Sequence, residues 1–361
     1  MRSALGFCMV LALAAGPALA GRRHAPRPRT PTPAPAPFVP ATPKTCEATC
    51  LDGYVDKVLQ AMMDHDPSRA PLAADARYTE NGEAKVPGQG LWATATAIAI
   101  EGDGLASLGL ASSAYRLYFA DPSSGQAAYL GAFTENGAPG MLMLRLKVAA
   151  GKVSEIETVV VRRGPPERPP GRPGRPGLMA EFDPKGFTEP EPTLLAGGEL
   201  WAPEIMTAAA NRYFDGVEHG SSAGVPLGAD CVRRDNGVRT TGNPALPPDP
   251  ADPALKPFAL GCAAQLDSGF FRGVLKVRRR IVVVDEDRGL VMAVAMVDHA
   301  APVASEPEPA KKKKRPRTPP PAPQTLSTDL MGVVFKMSQG RITRIEAIER
   351  PAANDMTFGW N

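Results

Sequence analysis

The sequence predicts an α+β protein with two tandem domains, each made of helices packed on a curved antiparallel sheet, an arrangement we call a cone. Three observations support this prediction: a long internal repeat, an amphipathic helix at the start of each copy, and strands joined by hairpin turns after it. The chain has 361 residues, of which 43% are apolar, so it is long enough to form two domains with a core each.

Three blocks of sequence recur in the same order in both halves. The first block reads PLAADARYTENG in one copy and PLGADCVRRDNG in the other, and the last reads KVAAGKVSEIETV and KMSQGRITRIEAI. The matching blocks are 71–82 with 226–237, 117–132 with 281–296, and 147–159 with 336–348. Collinear matches of this kind indicate two copies of one module.

Each copy is predicted to begin with an amphipathic helix. The apolar residues at helical spacing are Leu51, Tyr54, Val55, Val58, Leu59 and Met62 in the first copy, and Ile205, Met206, Ala209, Tyr213, Phe214 and Val217 in the second. A short strand with an Asn-Gly turn follows, at Ala76–Gly82 and Cys231–Gly237, and then come long strands rich in Val, Leu and Ile. One helix and one curved sheet can bury each other's apolar faces.

Proline-rich stretches set the expected boundaries, since the 40 prolines are clustered and proline is excluded from helix interiors and central strands. The first 20 residues have one arginine, an apolar run and a final Ala-Leu-Ala, the pattern of a cleaved signal peptide. The predicted segments are a signal peptide at 1–20, a disordered Pro-rich linker at 21–45, the first cone at 46–162, a Pro/Gly/Arg-rich linker at 163–199, and the second cone at 200–361 with insertions near 242–257 and 301–325. A signal peptide predicts a secreted or periplasmic protein.

Four cysteines remain after the predicted cleavage. In an exported chain an even number favours disulfides, and we expect Cys46 to pair with Cys50 and Cys231 with Cys262. Buried free thiols are the alternative. No histidine stands at ligand spacing to either pair, so a zinc site is not expected.

Basic residues concentrate in the linkers and insertions, most densely in KKKKRPR at 311–317. A solvated loop is one interpretation, and adhesion to an anionic surface such as lipid headgroups or a cell-wall polymer is the other. The folded parts show no alternation of aromatic and basic residues, which argues against nucleic-acid binding.

The first block after an amphipathic helix, together with the closing hairpin around Ile345-Glu346, resembles the nuclear transport factor 2-like superfamily. This group has the cystatin-like cone fold and includes ketosteroid isomerase, SnoaL-type cyclases and scytalone dehydratase. Gly90-Leu91-Trp92, Cys262–Gln265 and Val284-Asp285-Glu286 look closer still to secreted bacterial and fungal proteins with two such domains. The resemblance implies an apolar pocket in each cone, and a pairing of the two cones as an intramolecular pseudo-dimer.

The resemblance to ketosteroid isomerase also implies candidate catalytic residues. Glu80 and Asp235 stand where that enzyme has its general-base aspartate, and Tyr213 stands at its oxyanion-stabilising tyrosine, although Val58 takes this place in the first copy. A carboxylate between apolar walls would have a raised pKa suited to proton transfer. The alternative is that both acids bond to backbone amides of the Asn-Gly turns.

Two further features bear on catalysis. The second acid expected on the penultimate strand is missing, because Met143 and Gly332 occupy its places. His65 and His219 end the first helix of each copy, where a histidine interacts favourably with the helix dipole, and a catalytic role is the alternative.

Side chains alternate between the two faces of a sheet along each strand, and this predicts the face on which two acids and one histidine lie. Glu157 and Glu346 alternate with isoleucines and are expected on the outer face of the sheet, toward solvent or a partner domain. His299 follows Asp298, and neighbours on a strand point to opposite faces, so these two are not expected to form a dyad.

The sequence has no nucleophile elbow, phosphate loop, dinucleotide fingerprint or metal-ligand spacing, so no cofactor or metal is predicted. Three functions remain. The first is binding of a small hydrophobic molecule in a cone pocket, the second is an acid–base enzyme acting on such a molecule, and the third is a non-catalytic interaction module. Because the second copy has Tyr213, its pocket is the first place to look.

Overall fold

The computed structural model describes residues 46–99, 116–162, 201–300, 327–354 and 356–360. The predicted signal peptide, both predicted linkers, the insertion near 301–325 and the basic tract within it lie outside the described residues. Lys44–Asn361 forms one compact unit that contains both cones.

The first cone is a long helix packed on a seven-stranded sheet. Its elements are α1 (Ala48–Met63), β1 (Leu72–Glu80), β2 (Glu83–Lys85), α2 (Leu91–Thr94), β3 (Ala95–Ile98), β4 (Arg116–Asp121), β5 (Gln126–Glu135), β6 (Ala138–Ala149) and β7 (Lys152–Arg162), with a turn of 3-10 helix at Pro67–Arg69. The strands lie in the order β2-β1-β7-β6-β5-β3, and β4 also pairs with β5.

The second cone repeats this plan with six strands. Its elements are α3 (Pro203–His219), β8 (Leu227–Asp235), β9 (Val238–Arg239), α4 (Lys256–Ala259), α5 (Cys262–Asp267), β10 (Val274–Asp285), β11 (Leu290–His299), β12 (Ser327–Ser338) and β13 (Arg341–Ala352). The strand order is β10-β11-β12-β13-β8-β9. The cone architecture that the resemblance implied is confirmed in both halves.

Both sheets are mixed and not purely antiparallel. The first long strand of each cone lies parallel to the last, β1 on β7 and β8 on β13, while the other pairings are antiparallel. The first strand also starts earlier than predicted, at Leu72 and Leu227. The predicted Asn-Gly turns are present at its end, where Asn81 and Asn236 have φ of 54° and 49°.

The helices bury the predicted faces with one exception. Along α1 the side chains of Leu51, Val55, Val58, Leu59 and Met62 are fully buried. In α3 the buried stripe begins at Met206 and continues through Tyr213 to Val217. Ile205 was predicted to belong to this stripe, which is wrong: it lies in the first turn and is 57% exposed.

Both predicted disulfides are present. Cys46–Cys50 joins the first turn of α1 to a residue two positions before the helix, and Cys231–Cys262 joins β8 to α5 with a Cα–Cα distance of 5.8 Å. The second bridge therefore fastens the segment between β9 and β10, which carries the predicted insertion near 242–257, to the sheet.

The two cones pack against each other through the outer faces of their sheets. The shared apolar layer includes Leu117, Phe119, Leu130, Met143 and Val159 from the first sheet, and Val283, Met292, Val294, Leu330 and Ile348 from the second. Met143 and Gly332, which are equivalent in the repeat, meet here: a Cβ on Gly332 would lie 2.4 Å from Met143 Sδ. The cones thus pair within one chain.

Ion pairs join the cones around this apolar layer. Arg280 Nη1 lies 2.8 Å from Glu157 Oε1, which confirms that Glu157 is on the outer face of its sheet. Arg288 Nη2 lies 2.8 Å from Asp52 Oδ2 on α1. Both acids belong to the first cone and both arginines to the second, so these contacts bridge the cones.

After β13 the chain reaches the first cone at Trp360. Trp360 Nε1 donates to Thr79 Oγ1 at 2.9 Å, and the ring lies between the guanidinium groups of Arg77 and Arg145 at 4.5 and 4.8 Å. Trp360 therefore packs on the first cone. In the parts of the chain that the structure describes, no helix is long and apolar enough to cross a membrane.

Candidate functional site

A cavity lies between α3 and the inner face of the second sheet. Its aromatic wall is Tyr213, Phe214 and Phe271, its polar groups are Arg233, His299 and Glu349, and its aliphatic wall is Val217, Val274, Val297, Met331, Val333, Ile345 and Ala347. The empty space between these side chains is about 450 Å³ with the open mouth included, of which about 30 Å³ can be occupied by the centre of a water molecule. Mostly apolar walls with a few polar groups are typical of small-molecule sites.

Arg233 is the most unusual of the polar groups. It is only 5% exposed, and its Nε and Nη2 donate to Asp235 Oδ1 at 3.2 and 2.8 Å. Its guanidinium also lies 5.0 Å from the ring centre of Phe271. Nη1 is buried and has no hydrogen-bond partner. Burial opposes the positive charge, but the neighbouring Asp235 carboxylate outweighs this and holds the pKa of Arg233 above its usual value.

Asp235, one of the two predicted bases, lies behind Arg233 and does not line the cavity. It is 2% exposed, and besides Arg233 it accepts a hydrogen bond of 2.6 Å from Thr240 Oγ1. It makes no bond to an amide of its Asn-Gly turn among those described. The carboxylate is thus buried, as a pocket acid would be, but it is engaged by two donors.

Tyr213 projects from α3 into the cavity. Its ring packs edge-on against Phe335 at 5.3 Å, and the side chain is 5% exposed. Burial raises the pKa of its hydroxyl to about 12, with Arg233 lowering it and Asp235 raising it, so the hydroxyl stays protonated near neutral pH. Among the described residues its oxygen has no hydrogen-bond partner, so the hydroxyl is a free donor in the cavity.

His299 was not selected as a site residue from the sequence, although it lines the cavity. Its Nε2 lies 3.0 Å from Asp329 Oδ2 on the neighbouring strand β12. Asp298 points to the opposite face and pairs with Arg278, as strand alternation predicted. The partner of His299 is a diagonal cross-strand neighbour, because His299 stands opposite Ser327 in the register.

Glu80, the other predicted base, is buried in the first cone and surrounded by donors. It accepts hydrogen bonds from Tyr78 Oη at 3.0 Å, the Leu91 amide at 2.6 Å and Arg162 Nη2 at 3.0 Å. The backbone of Gly90 closes over it, since a Cβ there would lie 2.2 Å from Glu80 Oε2. This carboxylate holds α2 on the sheet.

The two predicted histidines lie apart from the cavity. His65 Nδ1 is 2.9 Å from the carbonyl oxygen of Trp92 in the first cone. His219 Nδ1 is 2.7 Å from the carbonyl oxygen of Asp215 in its own helix, at the exposed end of α3. The structure therefore brings Tyr213 together with the Arg233–Asp235 pair, and it places Glu80, His65 and His219 elsewhere.

Three positions that supply polar groups to the cavity hold different side chains in the first cone. In the repeat, Val58 corresponds to Tyr213, Tyr78 to Arg233, and Val160 to Glu349. All three first-cone side chains are buried in an apolar core that also holds the fully buried Trp92 and Met62. The first cone is filled by its own side chains at the place where the second has its polar groups.

Comparisons with known proteins found one family model and several solved structures that are similar to parts of this chain. A family model described as a domain of unknown function (DUF8021) matches residues 202–349, the second cone. A SnoaL-like polyketide cyclase from Agrobacterium tumefaciens is 12% identical over 40% of this chain and 91% of its own, with a TM-score of 0.24. The Mtr2–Mex67 M domain complex of C. albicans is 11% identical over 42% of this chain and 98% of its own, with a TM-score of 0.25.

A search of curated proteins found no match. Because one fold hosts many functions, a functional assignment has to come from the groups that line the cavity.

Proposed function

We propose that the second cone binds a small hydrophobic molecule in the cavity between α3 and the sheet. The observation that carries this proposal is the cavity itself: seven aliphatic and three aromatic side chains enclose it, and its polar groups are confined to a few positions. An apolar ligand would gain free energy by leaving water for such walls, at about 25 cal/mol per Å² of apolar surface buried.

The cavity in the structure is narrow, so the ligand would enter by displacing side chains at the mouth. Phe271 is suited to this movement, because it lies on the segment between α5 and β10 and is only partly buried. Loop segments of this kind move more readily than packed strands.

The test is a fluorescence titration with N-phenyl-1-naphthylamine, an uncharged probe that emits strongly in apolar surroundings. Ala347→Leu places a larger side chain in the cavity wall and is expected to abolish saturable binding. Ala223→Leu makes the same change at an exposed position of the same cone and is expected to leave binding unchanged. Equal binding by both variants and the unmodified chain would reject the proposal.

Acid–base catalysis in the same cavity is a second candidate, and the pair of His299 and Asp329 favours it. An imidazole beside a carboxylate can act as a general base, and Tyr213 supplies a hydroxyl donor in the same cavity. Deuterium exchange into the methyl group of acetophenone in D₂O, followed by NMR, tests this candidate. Exchange should be lost in His299→Asn, and a rate equal to that of buffer in the unmodified protein would reject it.

We also propose that the protein works outside the cytoplasm. Two disulfides are present, and such bonds persist in oxidising compartments. A fusion of the full chain, including residues 1–20, to a reporter would test export directly. Retention of the reporter in the cytoplasm would contradict the proposal.

A further inference from the structure

Besides His299 Nε2, which lies 3.0 Å from Asp329 Oδ2 in an ion-pair contact, two hydrogen-bond donors in the cavity have no acceptor in the described part of the chain. Arg233 Nη1 is buried without a partner, while the other two nitrogens of this side chain contact Asp235. The hydroxyl of Tyr213 is the second donor. Leaving a buried donor without an acceptor is unfavourable, and such groups are rare in folded proteins.

The two donors act on the same region of the cavity. Both side chains line it. Phe271 covers the guanidinium at 5.0 Å, so the apolar wall continues up to the donors. The cavity therefore presents these donors, with His299 and Glu349 as its other polar side chains, among mostly apolar walls.

The charges around the cavity indicate what kind of acceptor fits. The positive charge of Arg233 is already balanced by Asp235, at 2.8 Å. Glu349 adds a carboxylate to the lining, and His299 contacts the carboxylate of Asp329. A ligand carboxylate would add a further negative charge to this low-dielectric site, which is costly, whereas a neutral oxygen would accept both hydrogen bonds without it.

We infer that the ligand of the second cone is an uncharged apolar molecule with an acceptor oxygen, a carbonyl or ether, that binds Arg233 Nη1 and Tyr213 Oη. Arg233 is the residue that sets this specificity. The first cone has Tyr78 at the corresponding place, with its hydroxyl already donated to Glu80, so no equivalent subsite exists among its described residues. This inference rests on the proposed function, because it names the class of molecule that the cavity takes.

Three probes of similar shape separate the outcomes: acetophenone, ethylbenzene and benzoate. A ligand whose carbonyl leaves water without gaining a hydrogen-bond partner binds the protein about tenfold more weakly, or more weakly still. In the unmodified full-length chain, acetophenone is therefore expected to bind at least as tightly as ethylbenzene, and more tightly than benzoate, in ligand-observed NMR titrations.

The protein-side test is the double variant Arg233→Met/Asp235→Asn, which removes the donor without leaving an unpaired buried carboxylate. In this variant the carbonyl keeps Tyr213 Oη as its only donor, so the affinity for acetophenone relative to ethylbenzene should fall by about tenfold. The matched control is Arg278→Met/Asp298→Asn, which changes a similar two-contact pair on the other face of the same sheet. It should keep the order found in the unmodified chain, and thermal unfolding would show whether either variant retains its fold.

Each contrary result would exclude a different part of the inference. Ethylbenzene binding more tightly than acetophenone in the unmodified chain would overturn the acceptor subsite, and benzoate binding most tightly would overturn the requirement for a neutral ligand. Neither result affects the cavity, which N-phenyl-1-naphthylamine reports independently. If neither that dye nor the three probes bind, the proposed function fails, and this inference fails with it.

Discussion

Arg233 in the second cone and Tyr78 in the first occupy the same position of the repeated block, yet the hydrogen bonding of their polar atoms differs. Tyr78 is 2% exposed and donates its hydroxyl to Glu80, so its polar atom is fully used inside the core. Arg233 pairs with Asp235 and still has one nitrogen without a partner. At this position the first cone thus has a satisfied polar group in its core, and the second has a donor without a partner beside the cavity.

The same change from Tyr to Phe is expected to reduce stability more at Tyr78 in the first cone than at Tyr213 in the second. Tyr78→Phe removes a hydrogen bond from a buried carboxylate and should lower the free energy of unfolding by about 1–3 kcal/mol. Tyr213→Phe removes a hydroxyl without a partner and should change it by less than about 0.5 kcal/mol. Urea unfolding of both variants measures the difference, and a larger loss for Tyr213→Phe would show that its hydroxyl is bonded in the folded protein.

The contact between Met143 and Gly332 predicts a coupled pair at the interface of the cones. Gly332→Ala forces the Met143 side chain to move and should cost about 1–3 kcal/mol of unfolding free energy. In the double variant with Met143→Ala, the methyl group finds space, so the combined loss should be smaller than the sum of the single losses by about 1 kcal/mol. Strictly additive losses would mean that the two sheets do not pack as described.

The two disulfides should differ in their contribution to stability. Cys231–Cys262 closes a segment with a sequence separation of 31, whereas Cys46–Cys50 spans a separation of 4. On the chain-entropy model, removal of the longer bridge costs about 4 kcal/mol and removal of the shorter about 2 kcal/mol. The serine double variants, compared by thermal unfolding, test this order, and an equal or reversed effect would contradict it.

The pair of Arg278 and Asp298 predicts a loss of stability in acid. Burial alone would raise the pKa of Asp298, but hydrogen bonds from Arg278 and Thr328 outweigh it and hold the pKa below its usual value. A carboxylate with a lowered folded pKa stabilises the protein above its unfolded pKa of about 3.9, and this contribution is lost as the pH falls through the folded value. Asp298→Asn should therefore show a smaller decrease in unfolding free energy between about pH 5 and pH 3 than the unmodified chain. An identical decrease in both proteins would contradict this assignment.

The sequence was sufficient to predict the architecture because the repeat can be read directly. Matching blocks such as 71–82 and 226–237 showed two copies, and helical and strand periodicity placed α1, α3 and the hairpins. Parallel pairing of β1 with β7 was not predicted, because strand direction depends on the path of the whole chain. Ile205 matched the helical period, but burial at the first turn depends on which elements lie next to it.

The site was predicted only in part, and for a physical reason. Tyr213 was found because its place on the helix is recognisable from the repeat and the resemblance. Arg233 is one mismatch within the first block, where the other copy has Tyr78. None of its neighbours in the sequence indicates that its side chain is buried. His299 was judged against its sequence neighbour Asp298, whereas its contact is Asp329, which becomes adjacent only when β11 and β12 pair in register.

We propose that the second cone contains a ligand cavity, whereas the described side chains of the first cone fill the corresponding place. A crystal structure of the full chain with N-phenyl-1-naphthylamine tests it most directly. We expect one dye molecule per chain, bound between Tyr213 and Met331, with the Phe271 side chain moved outward. Dye bound within the first cone beside Trp92, or a second cone unchanged in the presence of saturating dye, would contradict the claim.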